Sequence, residues 1–126
     1  MNQKIRVCAF FAVVLAGSCS SENKQALNTT PTTGCDTTNV TFKGTIQSLN
    51  NQYCAISGCH TTSALASGYD FSSYADVKRA ADNGSLLGSI RHDPQFSPMP
   101  RGTNDKLSDC EIAKYAKWVA DGAPNN

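Results

Sequence analysis

Charge, aromatic area and histidine are all scarce in this chain. Of its 126 residues, 17% are Asp, Glu, Lys or Arg and 8% are aromatic, with one Trp and two His. So little large apolar area supports one small core and excludes a two-domain enzyme. The charges nearly cancel. The formal net charge is +1, or about −1 once Lys4 and Arg6 near the N-terminus are set aside. Neither a basic footprint nor an acidic tail is present, so nucleic acid is not an expected partner. Strong alternating strand patterns and internal repeats are also missing. No Ser-His-Asp grouping or paired carboxylates stand out, and Gly84-Ser-Leu-Leu-Gly88 is no nucleophile elbow, so the chain is not expected to be an enzyme. Full disorder is excluded by the steady supply of Leu, Ile, Val, Tyr and Trp in the second half. Cysteine is what the chain has in excess. Six in so short a sequence point to an oxidising compartment, a metal site or a covalent cofactor.

Residues 1–18 read as an export signal. Lys4 and Arg6 form a positive start, and Val7 to Ala16 is an apolar run too short for a helix of ~20 residues to span a bilayer. Leu15-Ala-Gly-Ser18-Cys19 resembles a bacterial lipobox, with cleavage before Cys19 and lipid on its sulfur. An ordinary signal peptide cut near Ala16 or Ser18 is the alternative. Several acyl chains on one residue give a stable membrane anchor. Ser20 and Ser21 follow, with no Asp at the second position. By resemblance to lipoprotein sorting signals, this implies the outer membrane, facing the periplasm. Residues 19–34 are polar and Thr-rich and are expected to form a flexible tether. The domain is then 35–126, near the size at which a core alone is marginal and a staple or large cofactor is needed.

Helical periodicity predicts a small, all-α, loop-rich domain. Phe42, Ile46, Leu49 and Tyr53 share one stripe of a helix over 42–52. A second helix is expected over 74–83, with Ser73 as N-cap, a Tyr74/Val77/Ala81 stripe and Gly84 as stop. Leu86, Leu87 and Ile90 suit a short helical turn. A third helix is expected over 109–121. Ser108 and Glu111 make a capping box, Leu107 and Ile112 a hydrophobic staple, and Ile112, Tyr115, Ala116 and Val119 its apolar face. Residues 92–104 are Pro- and Gly-punctuated loop.

Cys54-Ala-Ile-Ser-Gly-Cys59-His60 carries the chemistry. A His directly after a Cys is the end of the c-type haem attachment motif, in which two thiols bond the haem vinyl groups and the His binds iron. The usual motif has two residues between the cysteines, and this one has four. Ser57 and Gly58 supply a turn to absorb the excess. Met99, the sole methionine besides the initiator, lies in Ser97-Pro-Met99-Pro-Arg101. Flanking prolines favour an extended segment that presents the thioether rigidly. Iron held by His and Met suits electron transfer, whereas packing of a core gap is Met's commonest use.

The order Cys…Cys-His, helix, Pro-Met-Pro, then Leu107-Ser-Asp-Cys110-Glu-Ile112 leading to Trp118-Val-Ala-Asp-Gly-Ala123, resembles the short cytochrome c domains of exported bacterial lipoproteins. The resemblance spans about residues 35 to 126. It implies a cytochrome c-like helical fold carrying haem c through Cys54 and Cys59. His60 would be the proximal iron ligand and Met99 the distal one. Tyr115 and Trp118 would lie on a terminal helix that crosses the first. The implied function is single-electron transfer with other redox proteins of the cell envelope, as a monomer. His92 is expected to face solvent, or else to compete as distal ligand. Arg91 and Arg101 flank the Met loop as partners for haem propionates or as plain surface charges. With haem on Cys54 and Cys59, and with Cys8 in the leader and Cys19 lipidated, Cys35 and Cys110 would form the one disulfide. Without haem, three pairings stay open. Two other readings stand beside this one. The first is a haem-free, disulfide-stapled binding module. The second is a structural zinc site built from Cys54, Cys59, His60 and either His92 or Cys110.

Overall fold

The computed structural model describes residues 34–102 and 106–126. The expected signal peptide, Cys19 and nearly all of the tether lie outside the described residues. The described chain is all-α, with no strand. A π-helical turn, Phe42–Ile46, runs into α1, Gln47–Tyr53. Thr41 caps it, its Oγ1 accepting from the Gly44 N–H. A 3-10 turn, Ala66–Gly68, precedes α2, Tyr74–Asp82, and α3, Ser85–Arg91. The terminal helix α4 is Asp109–Ala120. Among the described residues, no helix is long and apolar enough to cross a membrane.

The α4 entry uses the chemistry expected of it. Ser108 accepts from the Glu111 N–H, and the Glu111 carboxylate accepts from the Ser108 N–H at 2.8 Å. Two of the N–H groups a helix start leaves unpaired are thereby satisfied. The α2 entry differs. Ser73 occupies the N-cap position but makes no side-chain cap bond. Asp76 instead accepts from the Asp70 N–H at 2.8 Å and pairs with Arg79. Gly84 follows α2 at φ +79°, where a residue with a Cβ would be strained.

The core lies where α4 crosses the first helix and α2 packs alongside. Ile46, Val77, Tyr115 and Trp118 are fully buried. Phe42 meets Tyr74 edge-on at 5.0 Å and Trp118 at 5.7 Å. The buried stripe of α4 is Ile112, Tyr115 and Trp118, whereas Ala116 and Val119 are half-buried. The expected face is therefore rotated toward Trp118. That residue's indole fills the crossing while its N–H donates to the Pro124 carbonyl at 3.0 Å. Asn50, a polar residue of α1, is also fully buried and accepts from the Tyr115 hydroxyl at 2.8 Å.

Cys35 and Cys110 are joined, with their Cα atoms 5.4 Å apart and 75 positions apart in the chain. A closed loop of that length is worth about 4 kcal/mol in the chain-entropy account. The bond ties the segment before the first helix to the first turn of α4. Small domains of this size depend on such staples.

Candidate functional site

Cys54 ends α1, its N–H donating to the Asn50 carbonyl at 2.8 Å. The chain then loops out through the four-residue gap. Gly58 turns at φ +79°, and the His60 N–H returns to the Cys54 carbonyl at 3.1 Å. The loop is thus closed at its base, and the wide spacing leaves Cys59 and His60 beside the helix end. Downstream, the Cys59 carbonyl accepts from the Ala66 N–H and the His60 carbonyl from the Phe71 N–H. His60 is held on both sides by main-chain bonds and is 9% exposed.

The Met loop is fixed against α3. The Asp93 N–H donates to the Gly88 carbonyl at 2.9 Å, and the Met99 N–H to the Ser89 carbonyl at 3.1 Å. The peptide between Met99 and Pro100 is cis. Phe96 lies flat against Gly88, where the missing Cβ makes room for its ring.

Between these two loops is a cavity of about 650 Å³. Its wall includes Cys54, Cys59 and His60 from one loop and Met99 from the other, with Leu86 and Ile90 supplied by α3. That volume is in the range of roughly 300–1,000 Å³ typical of small-molecule and cofactor sites. Residues separated by 39 positions, His60 and Met99, therefore share one site. Arg101 also lines the cavity and makes no ion pair among the described residues, whereas Arg91 is half-buried on α3 outside the lining.

His92 does not face solvent as expected. It is half-buried at the left-handed end of α3, φ +61°, and its Nε2 lies 3.1 Å from the Met99 carbonyl oxygen. The reason is local: the turn that ends α3 folds the ring back onto the Met loop. His92 is not part of the cavity wall and acts instead as a brace for Met99.

The two cysteines differ in setting. Cys54 is buried, Cys59 half-buried, and both are free thiols. Burial pushes the Cys54 thiol up to about 11, while the nearby Tyr115 hydroxyl pulls the other way. Burial likewise raises the Tyr115 phenol far above its ordinary value. At the cavity edge, Tyr53 donates to the Glu111 carboxylate at 2.5 Å, and that bond raises its phenol pKa. The stapled alternative needs Cys54 and Cys59 paired to other cysteines; among the described residues both are free. The zinc alternative loses Cys110 to the disulfide. No group of three or more His, Cys, Asp or Glu able to hold a metal ion is found among the described residues.

Sequence reasoning missed Phe71, which lines the cavity and stacks on the His60 ring at 4.7 Å. No periodicity marks it, because it lies in the turn before α2. It also missed Asn50, a polar residue on an otherwise ordinary helix face. Compared with known proteins, the chain matches no family model, no curated protein and no solved structure.

Proposed function

We propose that this chain is an electron carrier that holds haem c in the cavity between the Cys59-His60 loop and the Met99 loop. One observation carries the reading: two free thiols, an imidazole and a thioether line a single apolar-walled cavity of about 650 Å³. The donor chemistry fits. Thiols provide covalent attachment, and His with Met is the ligand pair of electron-transfer cytochromes. Haem iron, when bound, supplies a one-electron ferric/ferrous couple.

The chain's own residues do the rest. Cys54 and Cys59 would hold the cofactor as thioethers, their thiols adding across its vinyl groups, with the turn at Gly58 setting their separation. His60 would be an iron ligand. Met99 offers a soft sulfur that favours the ferrous state and raises the potential. The bonds from Ser89 and His92 to the Met99 main chain limit the entropy lost in holding that sulfur in place. Arg101, rather than Arg91, is the charge available to haem propionates. Leu86 and Ile90 keep the wall dry, which strengthens each charge interaction inside it. A lipid on Cys19 would tether the domain to the outer membrane, facing the periplasm, where other redox proteins of the envelope would exchange electrons with it.

The visible absorption spectrum tests this reading. Purified protein matured in a host with a haem-attachment system that accepts this spacing should show the sharp bands of low-spin haem on reduction. Colourless protein from that host would refute it.

A further inference from the structure

Phe71 is buried and lines the same cavity as His60. Its ring is nearly parallel to the imidazole, with centroids 4.7 Å apart and planes 18° apart. Its backbone N–H donates to the His60 carbonyl at 2.9 Å, so main chain and side chain are locked together. Support continues behind it. Tyr69 meets Phe71 edge-on at 5.8 Å. Tyr69 is itself pinned, with the Arg79 guanidinium 4.6 Å from its ring centroid and the Asn83 amide donating to its hydroxyl at 2.9 Å. Arg79 lies in α2 and Asn83 at its end. A packed helix thus backs a stack that ends on the histidine.

The second ring nitrogen is unusual. His60 Nδ1 is buried and has no hydrogen-bond partner among the described residues. A metal-ligating histidine ordinarily donates its other N–H to a carboxylate, carbonyl or water, which fixes the ring and makes it a stronger donor to the metal. His60 has a flat aromatic face in that role instead. We infer that Phe71 is a positioning residue for His60: stacking against Phe71, in place of a hydrogen bond at Nδ1, sets the imidazole plane and keeps the ring a weak donor. A weak donor stabilises ferric iron less, so the reduction potential stands higher than with Nδ1 bonded. The redox consequence rests on the haem reading, while the ring geometry does not.

The test compares Phe71→Leu and Phe71→Tyr in the haem-loaded protein by potentiometric titration, with thermal unfolding alongside. Phe71→Leu should lower the potential, because water reaches Nδ1. Phe71→Tyr, which keeps the ring, should hold the wild-type potential. A lower melting temperature in Phe71→Leu with an unchanged potential would make Phe71 mere packing and overturn the inference. Should Phe71→Leu fail to fold, Tyr69→Leu leaves Phe71 in place and removes its backing. It should shift the potential the same way by less, and no shift there also overturns the inference. If the wild-type protein carries no haem, the haem reading fails on its own. The stacking is then read in that haem-free protein from the His60 ring-proton resonances. These should be shifted upfield in wild type and in Phe71→Tyr, and ordinary positions in wild type would refute the stacking itself.

Discussion

Replacing Gly88 by alanine sets helix propensity against packing, and the structure decides the winner. In an exposed helix interior the change would stabilise by roughly 0.5–1 kcal/mol. At position 88 the new Cβ would stand 2.1, 2.3 and 2.6 Å from three carbons of the Phe96 ring. Ordinary carbon contacts lie at about 3.5–4.0 Å, so the ring must retreat by about 1.5 Å. Phe96 is not a floppy chain end. Its N–H donates to the Asp93 carbonyl, and the Asp93 N–H is bonded to Gly88 itself. Overpacking of this kind costs roughly 1–3 kcal/mol. The net expectation is a loss of up to about 2.5 kcal/mol. The same retreat would move the Met loop, since Phe96 precedes Met99 by three residues. Thermal unfolding should therefore fall, and the ferric methionine charge-transfer band should weaken with it. In a double-mutant cycle, Phe96→Leu should recover most of the loss, because the two side chains are in contact. A Gly88→Ala protein more stable than wild type, with an unchanged band, would refute the close approach of Phe96 to α3.

Replacing both Cys35 and Cys110 by serine should cost about 4 kcal/mol, seen as a fall of more than about 15 °C in the melting temperature of so small a domain. A fall of only a few degrees would mean the ends are held by packing alone. In protein made without haem, iodoacetamide should label Cys59 well before Cys54. With its pKa near 11, Cys54 is about one part in a thousand thiolate at pH 8, and its labelling rate should rise tenfold per pH unit until about pH 11. The same shift has a stability consequence of fixed sign. The folded state keeps a proton that the unfolded chain releases near pH 9, so haem-free protein loses stability as pH rises from about 9 to 11, by roughly 2–3 kcal/mol. Unfolding midpoints that stay flat across that window would contradict the burial of the thiol. Met99→Ala should abolish the charge-transfer band and lower the potential while covalent haem remains, and His92→Ala should alter the band less. The reverse result would make His92 the distal ligand.

The elements that sequence reasoning recovered are those whose signals are local. The capping box at Ser108 and Glu111 lies within four positions. The Phe42 to Tyr53 stripe is recovered only in part: its first turn is π-helical, which shifts the register so that Phe42, Ile46 and Asn50 are buried while Leu49 and Tyr53 are half-buried. What it lost depends on partners far along the chain. Asn50 reads as an ordinary helix surface residue until the Tyr115 hydroxyl, 65 positions away, meets it in the core. On α4, Ile112, Tyr115, Ala116 and Val119 complete a regular pattern without Trp118. The crossing with Phe42 turns the helix toward the indole instead. Ser73 occupies its expected position, yet Asp76 serves the Asp70 backbone in place of a cap. In the candidate site, Cys54, Cys59, His60 and Met99 stood out by residue type and spacing. Their convergence on one cavity, the contact of His92 with the Met99 carbonyl and the stack on Phe71 follow only from the folded loops.

The central claim is covalent haem on the Cys59-His60 loop, and denaturing mass spectrometry of the intact chain tests it most directly. After acid–organic extraction, the mature protein should exceed its apoprotein mass by one haem, and Cys59→Ser should retain less of that added mass than wild type. A wild-type mass equal to the apoprotein, from cells with a haem-attachment system that accepts the four-residue spacing, would contradict the account.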